Sequence, residues 1–270
     1  MSNSQTGAVA LIKAAAANGV QVCFANPGTT ELSLVSALDA VPAVRPILGL
    51  FEGVCTGAAD GYARVSGKPA LTLLHLGPGF ANGIANLHNA RRAGSAIINI
   101  IGDHASWHLA ADSPLTSDIE SLAAPVSHAV IRLKRGPAIG KQVAEAVRIA
   151  QGPPGRVVTL IAPSDFMDEA IDDVDFIVEA EAIATPLNEL DNELDIESAA
   201  QALIAAPSSI LLLGGHALRE RGQRAAARIT DACGARLIME SYPAYTEMGG
   251  DLPRLERLAY FPQDILAQLH

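Results

Sequence analysis

Residues 70–101 read ALTLLHLGPGFANGIANLHNARRAGSAIINII. Two apolar runs, Ala70–Leu76 and Ser95–Ile101, bracket the turn Gly77-Pro78-Gly79 and a stretch of helical spacing, Ala81–Arg92. Short apolar runs bounded by turn residues read as buried strands. Strand, helix and strand within ~30 residues make a parallel crossover. The alternation continues on both sides. Val20–Ala25 and Pro46–Phe51 read as strands; Thr29 or Thr30 can cap a helix running through Ala40. Glu52–Ser66 has helical spacing with Gly67 as its stop, and Thr6–Asn18 reads as an alanine-rich helix ended by Gly19. Gly102–Pro125 reads as a loop with short helical pieces, Ala138–Ala150 as a helix and Val157–Ala162 as a strand. The expected fold class is α/β, a doubly wound parallel sheet over residues 1–170.

Asp168–Asp195 carries many acids and neither Lys nor Arg, and a linker is expected over 171–195. Beyond it, Ile196–Ala205 reads as helix, Ser209–Leu213 as strand, Arg219–Cys233 as helix and Arg236–Met239 as strand. A second, Rossmann-like α/β domain, incomplete as a fold, is expected over 196–270.

Composition narrows the function classes. Of 270 residues 49% are hydrophobic and 4% aromatic, which suits Val/Ile/Leu strands under alanine-rich helices and excludes a disordered chain. The net charge of −10 with no basic stripe speaks against nucleic-acid binding. Cys23, Cys55 and Cys233 form no CxxC pair, so reduced thiols are expected rather than a disulfide framework or a zinc site. The apolar runs are too short to cross a membrane, and the start, MSNSQTG, lacks a signal-peptide pattern; a cytoplasmic location is expected.

Several positions carry candidate chemistry. Gly77-Pro78-Gly79 with Gly83 resembles a dinucleotide fingerprint, but it has one residue too many and a proline that removes an N–H. Asp103 stands where the acid of such a fingerprint would. Glu52 follows an apolar strand and opens a helix; it is either a helix-start acid or a functional carboxylate. His75 ends its strand just before the glycine turn, and Thr29 and Thr30 lie beyond the end of another. In open parallel sheets ligands bind outside the carboxyl ends of the strands, so these three sites are expected on one edge. His104 and His108, four apart, read as loop histidines rather than metal ligands, and Arg91-Arg92 as a solvated helix end. Gly214-Gly215 is a second glycine pair after an apolar strand.

Taken together, FANPGTTEL (24–32), FEGVCTGAADGYARVSGKPA (51–70), LLHLGPGFANGIANL (73–87) and SAIINIIGD (95–103) resemble the amino-terminal half of thiamine-diphosphate-dependent 2-oxo acid decarboxylases and carboligases. Benzoylformate decarboxylase and acetolactate synthase are the nearest kinds. GPPGRVVTLIAPSDF (152–166) looks like the closing strand of the family's pyrimidine-binding domain, and SSILLLGGHAL (208–218) like the start of its central domain. The resemblance implies that Glu52 hydrogen-bonds N1′ of the cofactor's aminopyrimidine and activates it. It implies that Thr29 and His75 face a 2-oxo acid substrate. Pro27, Gly28, Gly77, Pro78, Gly79 and Asn82 would then line the cofactor beside Glu52. Thr29 stands where benzoylformate decarboxylase has Ser, and Gly53 where acetolactate synthases usually have Gln.

In that family Mg²⁺ and the diphosphate are held by a carboxy-terminal domain carrying Gly-Asp-Gly and a later Asn. No segment here matches; Gly102-Asp103-His104 does not. The chain is therefore expected to lack that domain and to be inactive alone. The resemblance leaves FAD in the central domain open and implies a homodimer or tetramer. The complete enzyme would decarboxylate a 2-oxo acid and could ligate the product. Two alternatives stand beside it: a non-catalytic subunit or scaffold of the same fold, and a nicotinamide-dependent dehydrogenase.

Overall fold

A computed structural model describes residues 4–172 and 193–269. The chain divides into two compact units, Met1–Thr185 and Pro186–His270. Most of the expected linker, 173–192, lies outside the described residues.

The first unit runs β1 (Ser4–Thr6), α1 (Gly7–Ala17), β2 (Val22–Asn26), α2 (Leu32–Ala40), β3 (Arg45–Leu48), α3 (Glu52–Ser66), β4 (Ala70–His75), α4 (Leu76–Ala93) and β5 (Ile97–Asp103). It continues with α5 (Ile119–Ala123), β6 (Ala129–Arg132), α6 (Ala138–Ala150), β7 (Val157–Pro163), α7 (Ser164–Asp168) and β8 (Ala170–Asp172). Six strands form one sheet in the order β3-β2-β4-β5-β7-β6, with every pairing parallel. The expected doubly wound parallel sheet is present. Separately, β1 and β8 pair antiparallel, so Ile171 and Asp172 lie in a short ribbon at the point where the linker was expected to begin. Three-residue strands carry too little periodicity to read from sequence.

Side chains alternate across the sheet. Leu71 and Leu73 of β4, with Ile98, Ile100, Val158 and Leu160, pack against α1, α2 and α6. Leu74, Ile97, Ile101, Val157 and Ile161 pack on the other face with Phe80 and Leu87 of α4 and Cys55 and Ala59 of α3. That second face also buries a polar row. Thr72 Oγ1 donates to Asn99 Oδ1 (2.6 Å), Asn99 Nδ2 donates to Thr159 Oγ1 (3.2 Å), and Ser127 meets Thr159 (2.8 Å). Each member gains a partner, which offsets the cost of taking it out of water.

Local signals explain most boundaries. Thr6 caps α1 by accepting from Val9 N (3.3 Å), and Gly67 and Gly94 end α3 and α4 at φ of +69° and +67°. Two expectations change. Neither Thr29 nor Thr30 caps α2: residues Thr29–Glu31 form one 3-10 turn that leads into it. Gly77-Pro78-Gly79 is not a free turn but the first turn of α4. Pro78 is tolerated there because first-turn N–H groups have no helical partner to lose.

The second unit contains α8 (Glu193–Ala205), β9 (Ile210–Leu213), α9 (Glu220–Cys233), β10 (Arg236–Met239), β11 (Glu256–Arg257) and α10 (Pro262–Leu269). Its sheet order is β11-β10-β9, all parallel, over a small core of Leu213, Leu218, Ala226 and Met239. Strand β11 and helix α10 were not expected from sequence. Among the described residues no helix is long and apolar enough to cross a membrane.

Candidate active site

Strand β2 has β3 on one side and β4 on the other. The chain leaving β2 enters α2 on one face of the sheet, and the chain leaving β4 enters α4 on the opposite face. Adjacent strands whose exits diverge open a crevice at their carboxyl ends, the usual ligand position in such sheets. Thr30, His75 and Glu52 come to this edge, as the sequence suggests.

Two clusters occupy it. The first centres on Glu31, which is completely buried. Its Oε2 accepts from Gly28 N (2.7 Å) and lies 2.8 Å from His75 Nδ1; its Oε1 accepts from Thr30 Oγ1 (2.6 Å). Thr30 Oγ1 is also 3.3 Å from His75 Nδ1. Gly102, at the end of β5, leaves room for this carboxylate: a Cβ there would stand 1.7 Å from Glu31 Oε1. Gly28 likewise lies against the His75 ring, where a Cβ would come within 2.4 Å of Nδ1. Sequence reading missed Glu31. Its signal was an acid one turn after Pro27-Gly28, with two hydroxyls before it. Thr29, chosen instead, is exposed at the start of the 3-10 turn.

The second cluster centres on Glu52, the first residue of α3. Asn82 Nδ2 donates to Glu52 Oε2 (3.0 Å). Gly79 fits between the clusters, since a Cβ there would lie 2.9 Å from Glu52 Oε1 and 3.3 Å from His75 Cβ. The strand-to-helix corner is tight: Leu76, immediately after His75, has φ of +51°, a left-handed backbone that costs a non-glycine residue ~1 kcal/mol or more. That corner turns the chain directly into α4 and brings Gly79 and Asn82 up to Glu52. Helices α3 and α4 pack closely, with Gly53 O accepting from Asn86 Nδ2 (2.7 Å) and Gly83 O accepting from Thr56 Oγ1 (3.1 Å).

The glycine turn does not form a phosphate cradle. A Cβ at Gly77 would strike Ser117 Oγ at 2.0 Å, and one at Gly83 would meet Thr56 at 2.9 Å. Asp103 is occupied: it holds His104 N (2.8 Å) and pairs with Arg132 Nη1 (2.7 Å). The positions that suggested a nicotinamide dinucleotide thus serve packing and an internal ion pair. His104 and His108 make an edge-to-face ring contact at 5.6 Å, and among the described residues no three His, Cys, Asp or Glu side chains group as a metal site.

The sequence and the fold find counterparts among known proteins. Residues 5–122 match the family described as thiamine pyrophosphate enzyme, N-terminal TPP binding domain. Those residues are a domain of that family. The "Putative acetolactate synthase large subunit IlvX" of Mycobacterium tuberculosis is 47% identical over 263 residues, which is 97% of this chain and 50% of that protein. Benzoylformate decarboxylase of Pseudomonas aeruginosa is 32% identical over 153 residues, 55% of this chain and 28% of that protein. The chain thus spans half or less of the length of these curated relatives. The thiamine diphosphate-dependent 4-hydroxybenzoylformate decarboxylase of Rhodococcus jostii RHA1 superposes with a TM-score of 0.75 over 88% of this chain and 45% of its own, at 21% identity, which speaks to the fold alone.

The edge fits the aminopyrimidine end of the cofactor. Glu52 presents one carboxylate oxygen held by Asn82 and a second facing the space that Gly79 leaves free. The set holds an acceptor and an amide, which suits a flat nitrogen heterocycle.

Proposed function

We propose that the chain supplies the pyrimidine-binding half of a thiamine-diphosphate-dependent enzyme acting on a 2-oxo acid. Residues 1–172, through β8, are the pyrimidine-binding domain and 193–270, from α8, part of the central domain, with the linker between them. Mg²⁺ and the diphosphate would be held by a domain outside these residues. When bound, thiamine diphosphate supplies a nucleophilic carbon and an electron sink for decarboxylation. Glu52 holds a proton at N1′ of the aminopyrimidine, Asn82 orients Glu52, and Gly79 keeps the space between Glu52 and His75 open. Pro27, Gly28, Gly77 and Pro78 shape the adjoining backbone. His75, held by Glu31 and Thr30, is placed to move a proton at the substrate side, with Thr29 as a nearby hydroxyl.

The observation that carries this reading is the meeting of Glu52, Asn82, Gly79 and His75 at one switch point of a parallel sheet. The test is CO₂ release from 2-oxo acids by this chain combined with a polypeptide carrying the diphosphate-binding domain. Turnover that disappears in His75→Ala and Glu52→Gln supports it; turnover unchanged in both contradicts it. A cytoplasmic homodimer or tetramer belongs to the same proposal. Its support is the run of exposed apolar residues Leu48, Leu50, Phe51 and Val54 beside the site.

A further inference from the structure

The second unit contains a parallel β9–α9–β10 crossover with Gly214-Gly215 at the end of β9. A dinucleotide such as FAD would set its phosphates against that glycine turn and the following helix end. Both places are taken by carboxylates of the protein. Gly215 N donates to Glu240 Oε1 (3.0 Å), and a Cβ on Gly214 would stand 3.2 Å from the same oxygen. Glu220 N, the first amide of α9, donates to Glu247 Oε2.

Neither carboxylate is there by chance of rotamer alone. Glu240 directly follows β10, and its N–H donates to Leu213 O (2.9 Å), which fixes it beside the glycine pair. The loop bearing Glu247 is pinned by Gln223, 1% exposed, whose Nε2 donates to Leu218 O and Glu247 O (2.7 Å each). Glu247 N donates to Leu218 O (3.1 Å). Arg219 lies 3.7 Å from Glu247 Oε1 and stacks over Tyr245 at 3.8 Å, steadying the same loop.

We infer that Glu240 and Glu247 close this crossover to diphosphates, so that the second unit does not hold FAD or another dinucleotide there. An incoming phosphate would have to displace two charged acceptors from their amides and then lie beside them, like charge against like. The inference stands apart from the thiamine reading, which rests on the first unit.

The test is a titration of the ¹⁵N-labelled chain with FAD and with ADP, following the Gly215 and Glu220 amide resonances. Wild type is expected to show no saturable shift at either amide. Glu240→Gln/Glu247→Gln removes the charge while keeping the acceptors, and Glu240→Ala/Glu247→Ala frees the amides. Each folded double variant, checked by circular dichroism, is expected to gain ADP-dependent shifts at these amides, with affinity about tenfold or more above wild type. Saturable shifts in wild type overturn the inference. Their absence from both wild type and the folded Gln pair overturns it equally, because the carboxylates would then not be what excludes the ligand.

Discussion

At the scale of single residues, burial decides more than sequence position does. Glu31 is the clearest case: no exposed edge, three donors around it, and a glycine opposite that makes its place. Glu31→Ala leaves those donors without their acceptor and should cost ~1–3 kcal/mol, read as a lower midpoint of thermal unfolding. Glu31→Gln keeps the size and should cost less; equal losses would mean that the carboxylate charge, not the space it fills, is what matters. Cys23 gives a second, opposite-signed test. Complete burial, reinforced by Cys55 nearby, pushes its thiol up to about 12. An unfolded thiol ionises near ~8.5. Stability from this group is therefore whole below that value and is lost as pH rises from there through about 12. Denaturant unfolding along the alkaline side should decline less steeply in Cys23→Ala than in wild type. The sequence placed Cys23 in a strand and Glu31 in the segment FANPGTTEL (24–32), but complete burial is a tertiary property that neither stretch revealed.

At the scale of elements, most strands and helices were legible because apolar runs and glycine stops alternate so regularly from Thr6 to Ile101. Helix α6 spans Ala138–Ala150 as expected, for its apolar positions recur at helical spacing. What failed has separate causes. Gly77-Pro78-Gly79 looked like a turn, yet glycine and proline within a first helical turn break no hydrogen bond. Strand β6 was missed because Ala129–Arg132 is half-buried and four residues long. The glycine in α4 nearest the site makes a discriminating variant. Gly79→Ala raises helix propensity by up to ~1 kcal/mol, so fold stability should not fall. The added Cβ would stand 2.9 Å from Glu52 Oε1 and push that carboxylate aside. The expected outcome is an unchanged or higher unfolding midpoint together with reduced turnover in the complemented enzyme. Loss of both together would mean that Gly79 is needed for packing only.

At the scale of the whole molecule, combined motifs in the sequence resemble the family whose description matches residues 5–122, while the polar contacts at the sheet edge needed coordinates. Leu50 is 91% exposed among apolar neighbours, an arrangement that solvent disfavours. Sedimentation should show self-association in wild type that weakens in Leu50→Glu with no loss of fold; a wild-type monomer at micromolar concentration contradicts that surface. On the proposed reading, in which another domain holds Mg²⁺ and the diphosphate, residues 1–270 expressed alone should bind thiamine diphosphate and Mg²⁺ only weakly by calorimetry; tight stoichiometric binding contradicts it. The role of Glu52 is tested most directly by hydrogen–deuterium exchange at C2 of bound thiamine diphosphate, in the complemented enzyme, comparing wild type with Glu52→Gln. Removing an acid–base group typically costs ~10²–10⁴-fold, and exchange in the variant should slow by that order while the cofactor remains bound. Exchange as fast as in wild type would make Glu52 an ordinary first-turn acid and contradict its assignment to the cofactor.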